Sequence, residues 1–168
     1  MRLAVLSDIH DRSQNLARVL ARLGQAEVAA LVCCGDIGSP GILDQLALFG
    51  APLHACLGNC DQAQAAALLR LGHLRQARIC QASGSLSLKP AGQAAFCHHP
   101  ESAKELALSG DYRAVFYGHT HRARVEHLEL ATGQKVLLAN PGDIQGRYAE
   151  PRALVWDSES SIIQWVYA

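Results

Sequence analysis

Two histidines, His119 and His121, stand one residue apart directly after the apolar segment "VFYG", residues 115–118. Imidazole nitrogens bind first-row divalent metals and exchange protons near neutral pH. An H-x-H pair also occurs by chance on exposed surfaces, so the pair alone does not identify a metal site. Its position at the end of a strand-like segment is the informative feature.

Four other apolar segments end in the same way. Each is predicted to be a short buried strand, and each is followed by a side chain that can bind a metal. In an open α/β sheet, ligands bind beyond the carboxyl ends of the strands, where the loops diverge. The metal-competent side chains at the five strand ends are Asp8 and His10, Asp36, Asn59, His98 and His99, and His119 and His121.

Each of these motifs also has an ordinary structural interpretation. An Asp-x-His sequence is commonly a turn with a hydrogen-bonded aspartate, Gly-Asp is often a helix cap, and asparagine after glycine is a frequent turn former. Turns and caps give no reason for five motifs to coincide with five strand ends. The joint pattern therefore favours a metal site.

The number and type of these side chains predict the chemistry. With one of the adjacent His98 and His99 counted, two aspartates, one asparagine and four histidines are too many for one tetrahedral zinc, but they suit two metal ions if one carboxylate bridges. Imidazole with carboxylate oxygen suits manganese, iron, zinc, cobalt or nickel better than calcium or magnesium. We expect two divalent ions, with manganese as the first expectation. Such a pair can activate water and stabilise both oxygens of an in-line displacement.

The first half of the chain supplies the elements that position these residues. The segments "RLAVL", "VAALVCC" and "APLHACLG" are short and apolar, which predicts buried strands. Between the first two, "SQNLARVLARLG" places four apolar residues on one helical face, and "SPGILDQLALFG" and "QAQAAALLRLG" predict two further helices. The four residues of the first helix are Leu16, Val19, Leu20 and Leu23.

After residue 76 the pattern changes to short strands with one more helix. We expect strands near 77–81, 84–88, 92–97, 113–118, 123–131, 135–139, 152–157 and 161–167, and a helix near 101–109. Parallel βαβ units followed by a more antiparallel half predict an α/β fold with mixed sheets. No linker or repeat interrupts the sequence, so we expect residues 1–168 to form a single domain.

Composition limits the other possibilities. Fifteen basic residues balance fifteen acidic ones, so no long nucleic acid is expected as a partner, although a local patch could exist. The N-terminal apolar stretch is too short for a signal peptide, and no segment is long enough to span a membrane, so a cytoplasmic location is predicted. The six cysteines are then expected to be reduced thiols.

The order of these motifs along the chain resembles that of the calcineurin-like metallophosphoesterases, most closely their small bacterial and archaeal phosphodiesterase branch. The motifs are D-x-H, G-D, G-N-C-D, a strand-end histidine and G-H-T-H. The resemblance covers essentially the whole chain and includes "NPGD", residues 140–143, which is similar to a family turn near the metal site. It implies a four-layer αββα sandwich of two mixed sheets flanked by helices, with the site where the sheets meet.

The resemblance also implies a division of the ligands. One metal would be held by Asp8, His10 and His121, and the other by Asn59, His98 and His119, with Asp36 bridging them. The residues implied in catalysis are Asp36, Asn59 and His98. Gly118 is expected to turn the chain sharply, so that the two histidines after it face different metals.

The sequence departs from the family pattern at two places. Many relatives have a histidine after the asparagine ligand, which is thought to help the leaving group; here Cys60 follows, as in the small branch, and Asp61 is expected to cap the next helix. The usual His-Gly after the fourth strand is His98-His99 here. We assign His98 as the ligand by position, with His99 as the alternative.

Other polar residues have less specific interpretations. His54 lies inside a predicted strand, where a packed and hydrogen-bonded histidine is expected, and His73 and His127 are expected to be solvated. Arg12, Arg122 and Arg147 lie near the motif loops and could meet phosphate, although a surface role is favoured for each.

Two functions are therefore compared. The first is a two-metal phosphoesterase, a phosphodiesterase in the first instance, which hydrolyses small phosphate esters through attack by a metal-activated hydroxide. The alternative is a metal-binding interaction scaffold of the same fold without significant catalysis, as in the retromer subunit that shares this fold. All seven candidate ligands are present in this sequence, which favours the enzyme.

Overall fold

The fold was obtained as a computed structural model, which describes residues 1–89 and 92–168. In these residues eleven strands form two sheets. The strands are β1 Arg2–Leu6, β2 Ala30–Cys34, β3 Leu53–Cys56, β4 Arg78–Cys80, β5 Ser83–Ser87, β6 Gln93–Cys97, β7 Ala114–Phe116, β8 Arg124–Glu129, β9 Lys135–Asn140, β10 Arg152–Asp157 and β11 Ile163–Tyr167.

Four α-helices connect the strands in the described part of the chain, and a short 3-10 helix precedes the third. The α-helices are α1 Ser13–Leu23, α2 Pro40–Ala47, α3 Ala65–Leu74 and α4 Pro100–Leu108, and the 3-10 helix spans Asn59–Gln64. The third helix thus begins later than the sequence predicted. The intervening 3-10 helix keeps residues 59–64 close to the end of β3, so that Asn59 lies at the end of this strand.

The two sheets have different strand orders. The first sheet has the order β11-β10-β1-β2-β3-β4, and its strands from β1 to β4 are parallel. The second has the order β5-β6-β7-β9-β8, in which β6, β7 and β9 are parallel. Both are mixed sheets, as predicted.

Three apolar clusters separate four layers, so the predicted αββα sandwich is confirmed. In β1, Leu3 and Val5 pack into the cluster between the sheets, whereas Ala4 and Leu6 pack towards the helices. This alternation follows from the period of two in a strand, and it explains why both faces of the segment are apolar. A third cluster, which contains Ala103 of α4, covers the outer face of the second sheet.

The first helix meets the sheet through the predicted face, because Leu16, Val19, Leu20 and Leu23 are all buried. None of the helices within residues 1–89 and 92–168 combines the length and the apolar character that crossing a bilayer requires.

Candidate metal centre

Six parallel strand ends from the two sheets converge on one edge of the sandwich. The first sheet contributes the loops after β1, β2 and β3, and the second contributes the loops after β6, β7 and β9. All the predicted ligands lie on the first five of these loops: Asp8, His10, Asp36, Asn59, His98, His119 and His121.

The loops after β1 and β2 are joined by backbone hydrogen bonds. The Asp8 N–H donates to the Gly35 carbonyl at 3.1 Å, and the N–H groups of Ile9 and His10 donate to the Asp36 carbonyl at 2.9 and 3.1 Å. The relative positions of the two aspartates are therefore fixed by main-chain contacts, which do not depend on a bound ion.

Five of the seven predicted ligands have a left-handed backbone. Residues other than glycine rarely adopt positive φ. Each such residue lowers the stability of the fold by about 1–3 kcal/mol and persists only where the surrounding structure enforces the conformation. Strain of this kind concentrates at functional sites. The φ values are 53° at Asp8, 47° at His10, 51° at Asp36, 67° at His119 and 57° at His121.

Glycines at the strand ends permit close approach. A Cβ at Gly58 would overlap the carboxylate of Asp36, and one at Gly118 would overlap the Ser7 hydroxyl and come within 2.8 Å of Asp8 Oδ2. Gly118 was expected to provide a sharp turn, but the positive φ values belong to the histidines that follow it. Gly118 is instead required because it packs directly against the β1 loop.

One group of side chains contains Asp8, His10 and His121, whose ligand atoms all lie within 4.8 Å of one another. The Nε2 atoms of His10 and His121 lie 3.9 and 3.6 Å from Asp8 Oδ1. The two imidazoles stack, with centroids 5.1 Å apart and planes at 11°. His10 Nε2 is buried without a hydrogen-bond partner in the described residues. A buried ring nitrogen left unpaired beside carboxylates fits a site for a cation.

The second group is centred on the side-chain oxygen of Asn59. This Oδ1 atom lies 2.9 Å from His98 Nε2 and 3.0 Å from His119 Nδ1. Two ligand atoms each about 2.1 Å from one ion at right angles would be about 3 Å apart. The spacing of the three side chains therefore suits a shared metal ion.

Asp36 lies between the two groups. Its Oδ2 atom is 3.5 Å from His10 Nε2 and 3.5 Å from His98 Nε2, while Oδ1 accepts the Cys60 N–H at 2.8 Å. A carboxylate that faces one histidine from each group is in the position that a bridging ligand requires.

Hydrogen bonds at the far side of two imidazoles determine which nitrogen faces the centre. His98 Nδ1 lies 2.8 Å from the Cys34 carbonyl, and His121 Nδ1 lies 2.9 Å from Asp143 Oδ2. Because a carbonyl and a carboxylate can only accept, each Nδ1 carries a proton, which leaves Nε2 as the nitrogen that would bind a metal ion.

His119 and His121 face different side chains. His119 contacts Asn59, whereas His121 lies between Asp8 and Asp143. His98 is buried in the centre, while His99 is exposed at the N-terminal end of α4. The His99 ring is nevertheless near, with its centroid 4.7 Å from that of His119.

Burial and neighbouring charges shift the pKa values of the central groups. Burial is the largest influence on Asp8, and it raises the pKa of that carboxyl above its usual value. Burial also acts to raise the pKa of Asp36, but the His98 imidazole and the Cys60 N–H outweigh it and lower the pKa to about 2. For His98, burial opposes the charged form, yet Asp36 and the Cys34 carbonyl raise the pKa. The centre thus favours ionised Asp36 beside cationic groups.

Asp143 is a site residue that the sequence analysis did not identify. It follows β9 within "NPGD", is buried, and holds His121 through its carboxylate. Asn140 of the same motif donates to the Gly118 carbonyl at 2.7 Å and to Thr120 Oγ1 at 3.1 Å. The motif therefore supports the loop that carries both histidines. The signal in the sequence was its position after a sixth apolar segment.

Asp61 has a larger role than the expected helix cap. Its buried carboxylate accepts the Gly58 N–H at 2.8 Å, and also the N–H groups of Ile37 and Gly38 at 3.1 and 2.9 Å. It therefore ties the Asp36 loop to the Asn59 loop. Cys60 places its sulfur within 4.8 Å of ligand atoms of His10 and Asp36.

Three other predictions can be compared with the structure. His54 is partly buried and packed, as predicted, but its Nδ1 has no hydrogen-bond partner within the described residues, so the predicted hydrogen bond is not found at this atom. It packs edge-on against Phe96 instead. His73 and His127 are exposed, and the six cysteines are free thiols, as predicted.

A groove of about 460 Å³ opens next to the candidate ligands on the side of the β1 loop. The residues that line it are all polar or charged: Asp11, Arg12, Ser13, Gln14, Asn15 and Gln145. It is thus suited to a hydrophilic group rather than to an apolar ligand.

The chain is similar to known proteins along most of its length. Residues 1–160 match the model of the calcineurin-like phosphoesterase superfamily domain. The chain is 26% identical over 147 residues to a phosphodiesterase of Methanocaldococcus jannaschii. The aligned segment makes up 87% of this chain and 86% of that protein.

Solved structures give the same result for the fold. The structure of an archaeal phosphodiesterase covers the whole of both chains with a TM-score of 0.85 at 25% identity. A mutant of Vps29 from Entamoeba histolytica covers 100% of this chain and 99% of its own, with a TM-score of 0.67 at 16% identity.

Proposed function

Because this chain belongs to the calcineurin-like phosphoesterase superfamily, we propose that it is a two-metal phosphoesterase, and in the first instance a phosphodiesterase acting on small phosphate esters. The observation that carries the proposal is the convergence of two side-chain groups on Asp36, whose Oδ2 lies 3.5 Å from a histidine of each. The relatives named as phosphodiesterases support the diester preference.

The assignment of residues to the two metals follows these groups. Asp8, His10 and His121 would hold one ion, Asn59, His98 and His119 the other, and Asp36 both. Two divalent ions at these positions would supply an activated hydroxide and the positive charge that phosphoryl oxygens need. Manganese is the expected metal, and iron, zinc, cobalt and nickel suit the same ligands.

The protein's own contribution is to prepare and orient the ligands. The Cys34 carbonyl and the Asp143 carboxylate keep the Nδ1 protons of His98 and His121 turned outwards. The neutral Asn59 amide binds without adding negative charge, so the centre stays attractive to an anionic ester. The low pKa of Asp36 keeps it ionised across the physiological range.

The scaffold alternative is not favoured. Vps29 resembles this chain at 16% identity, which concerns the fold alone. All seven predicted ligands are present here and converge on one edge. The single-domain organisation over residues 1–168 and the cytoplasmic location stay as predictions.

A turnover screen combined with metal analysis tests the proposal. The metal-free protein would be reconstituted with manganese and assayed with bis(p-nitrophenyl) phosphate and p-nitrophenyl phosphate, while bound metal is counted by mass spectrometry. Two equivalents of metal with faster turnover of the diester are expected. Two tightly bound equivalents with no turnover of any ester would favour the scaffold, and one equivalent would refute the two-metal centre. Arg75→Gln, at an ion pair with Asp44 outside the proposed centre, is the control variant.

A further inference from the structure

Two arginines lie against one exposed tyrosine at the edge of the metal centre. The guanidinium carbons of Arg122 and Arg147 are 5.3 and 5.2 Å from the centroid of the Tyr148 ring. The ring itself is perpendicular to the imidazole of His121, with centroids 6.3 Å apart. Both cations are therefore close to a predicted metal ligand.

The same carboxylate positions this cluster and the ligand. Asp143 Oδ2 accepts both the Nδ1 proton of His121 and the backbone N–H of Arg147, each at 2.9 Å. Arg122 follows His121 directly in the chain. Arg147 is hydrogen-bonded to Asp143, and Arg122 is the neighbour of His121 in the chain. These connections fix the backbone positions of both arginines relative to the proposed centre.

The positive charge of the cluster is not compensated by the protein. In the described part of the chain, no carboxylate pairs with Arg122 or Arg147, whereas Arg75 and Arg124 pair with Asp44 and Glu126. Both guanidinium groups contact one ring, and stacking on the tyrosine leaves their positive charge in place. Each retains N–H donors that match the oxygens of a phosphate.

We propose that Arg122, Tyr148 and Arg147 form a subsite that binds a second, non-reacting phosphate group of the substrate. This inference rests on the proposed function, because it assumes that the reacting phosphate lies at the metal centre beside His121. Tyr148 positions both guanidinium groups, and the phosphate neutralises their charge. The preferred substrates are thus phosphodiesters that carry a further phosphate.

A purely structural role for the cluster makes a different prediction. If the arginines only cover the tyrosine and stabilise the 143–148 turn, the protein will not distinguish a substrate with a second phosphate from one without it. Substitution would then change stability or metal content and leave substrate preference unaltered.

A matched pair of substrates separates the two roles. Thymidine 5′-(p-nitrophenyl phosphate) and its 3′-phosphorylated form differ by one phosphate and release the same nitrophenolate. A hydrogen bond to a charged group contributes about tenfold or more, so we expect the manganese-loaded protein to have a kcat/KM at least about tenfold higher for the 3′-phosphorylated substrate. The ratio should fall towards unity in Arg122→Gln/Arg147→Gln. It should persist in Arg124→Gln, because that arginine is paired with Glu126.

A binding measurement keeps this proposal separate from the proposed function. The metal-free protein would be titrated with thymidine 3′,5′-bisphosphate by calorimetry, at low and at high ionic strength. Binding should weaken about tenfold in the double variant, and salt should weaken it because screening reduces the attraction. If neither ester is hydrolysed, the proposed function fails and this titration alone decides on the subsite. Equal kcat/KM for the two esters, or bisphosphate binding that ignores both substitutions, would overturn the subsite while leaving hydrolysis in place.

Discussion

The His121 imidazole and the Asp143 carboxylate form a buried hydrogen bond of 2.9 Å between the loops after β7 and β9. The carboxylate fixes the tautomer of a predicted metal ligand and orients its ring. It connects the "NPGD" motif to the metal chemistry, in addition to the turn that this motif forms.

Asp143→Ala is expected to weaken metal binding at the group that contains His121. Loss of such an outer hydrogen bond typically reduces metal affinity by about 10–100-fold. Calorimetric titration of the metal-free variant with manganese would measure the loss. Asp111→Asn, at an exposed position, is the control. Unchanged affinities for both ions would exclude the proposed role of Asp143.

Asp36→Asn should cost more activity than the loss of any single terminal ligand. It removes the charge shared by both groups, so we expect kcat/KM to fall more than about 100-fold, which exceeds the effect of an outer hydrogen bond. His119→Ala and His121→Ala should each deplete a different ion. Near-normal turnover of Asp36→Asn with two bound equivalents would contradict the bridging assignment, and depletion of the same ion by both histidine variants would contradict the division of ligands.

Replacement of His99 by glycine tests the choice between the two adjacent histidines. His98 is buried between Cys34 and Asn59, whereas His99 is exposed. We therefore expect His99→Gly to keep both equivalents of metal and His98→Gly to lose one. Elemental analysis of the two variants is the measurement, and loss of metal from His99→Gly would transfer the ligand role to His99.

Cys60 is expected to be a poor proton donor to the leaving group. Partial burial, followed by the Asp36 charge, raises the pKa of this thiol, so the metal-free protein keeps it protonated. A nearby metal ion would instead favour the thiolate, which cannot donate. Cys60→Ser should change kcat by less than about threefold, well below the 100-fold that a general acid contributes at least.

The dependence of rate on leaving-group pKa provides a second measurement at this position. Without an efficient acid, activated aryl diesters should be cleaved much faster than alkyl esters. A flat dependence, with the chemical step shown to limit the rate, would indicate a proton donor elsewhere. His99, exposed beside His119, would then be the residue to replace.

Asp8 should destabilise the metal-free protein at neutral pH. Burial raises the pKa of this carboxyl, so the folded state holds the proton more tightly than the unfolded state does. The free energy of unfolding therefore falls as pH rises from about 4, the unfolded value, through the folded pKa. Asp36 acts in the opposite sense: its pKa of about 2 adds stability that is complete above about 4 and is lost at lower pH.

Asp8→Asn removes the first of these two effects. In the presence of a chelator, its melting temperature should exceed that of the wild type, and the difference should grow with pH above about 4 before levelling off. Asp111→Asn should show no such trend. If Asp8→Asn melted lower than the wild type at neutral pH, the interpretation of Asp8 as a functional residue that lowers apo-stability would be wrong.

The α/β class with mixed sheets and the set of candidate ligands follow from local sequence patterns, whereas the four-layer architecture was implied by the family resemblance. The apolar segment "RLAVL" predicts a strand that is covered on both faces. In the structure its residues alternate between two apolar clusters, as Leu3 and Ala4 do. Parallel strands end at one edge, so the side chains after β1, β2 and β3 had to lie near one another.

The supporting contacts could not be predicted in this way. Asp143 meets His121 because β9 pairs with β7, whereas β8 lies outside β9 at the sheet edge. That strand order is not a local property of the sequence. The bonds from Asp61 to Ile37 and Gly38 likewise depend on how closely the two loops approach, and Gly58 allows this approach.

The distribution of the ligands over the two sheets has a mechanical consequence. Asp8, His10, Asp36 and Asn59 extend from one sheet, and His98, His119 and His121 from the other. Each proposed ion would therefore be a cross-link between the two halves of the sandwich, since neither sheet alone supplies all the ligands of either ion. Metal binding would then restrain relative movement of the two sheets, and we expect the amide protons at this edge to exchange more slowly with solvent once both ions are bound.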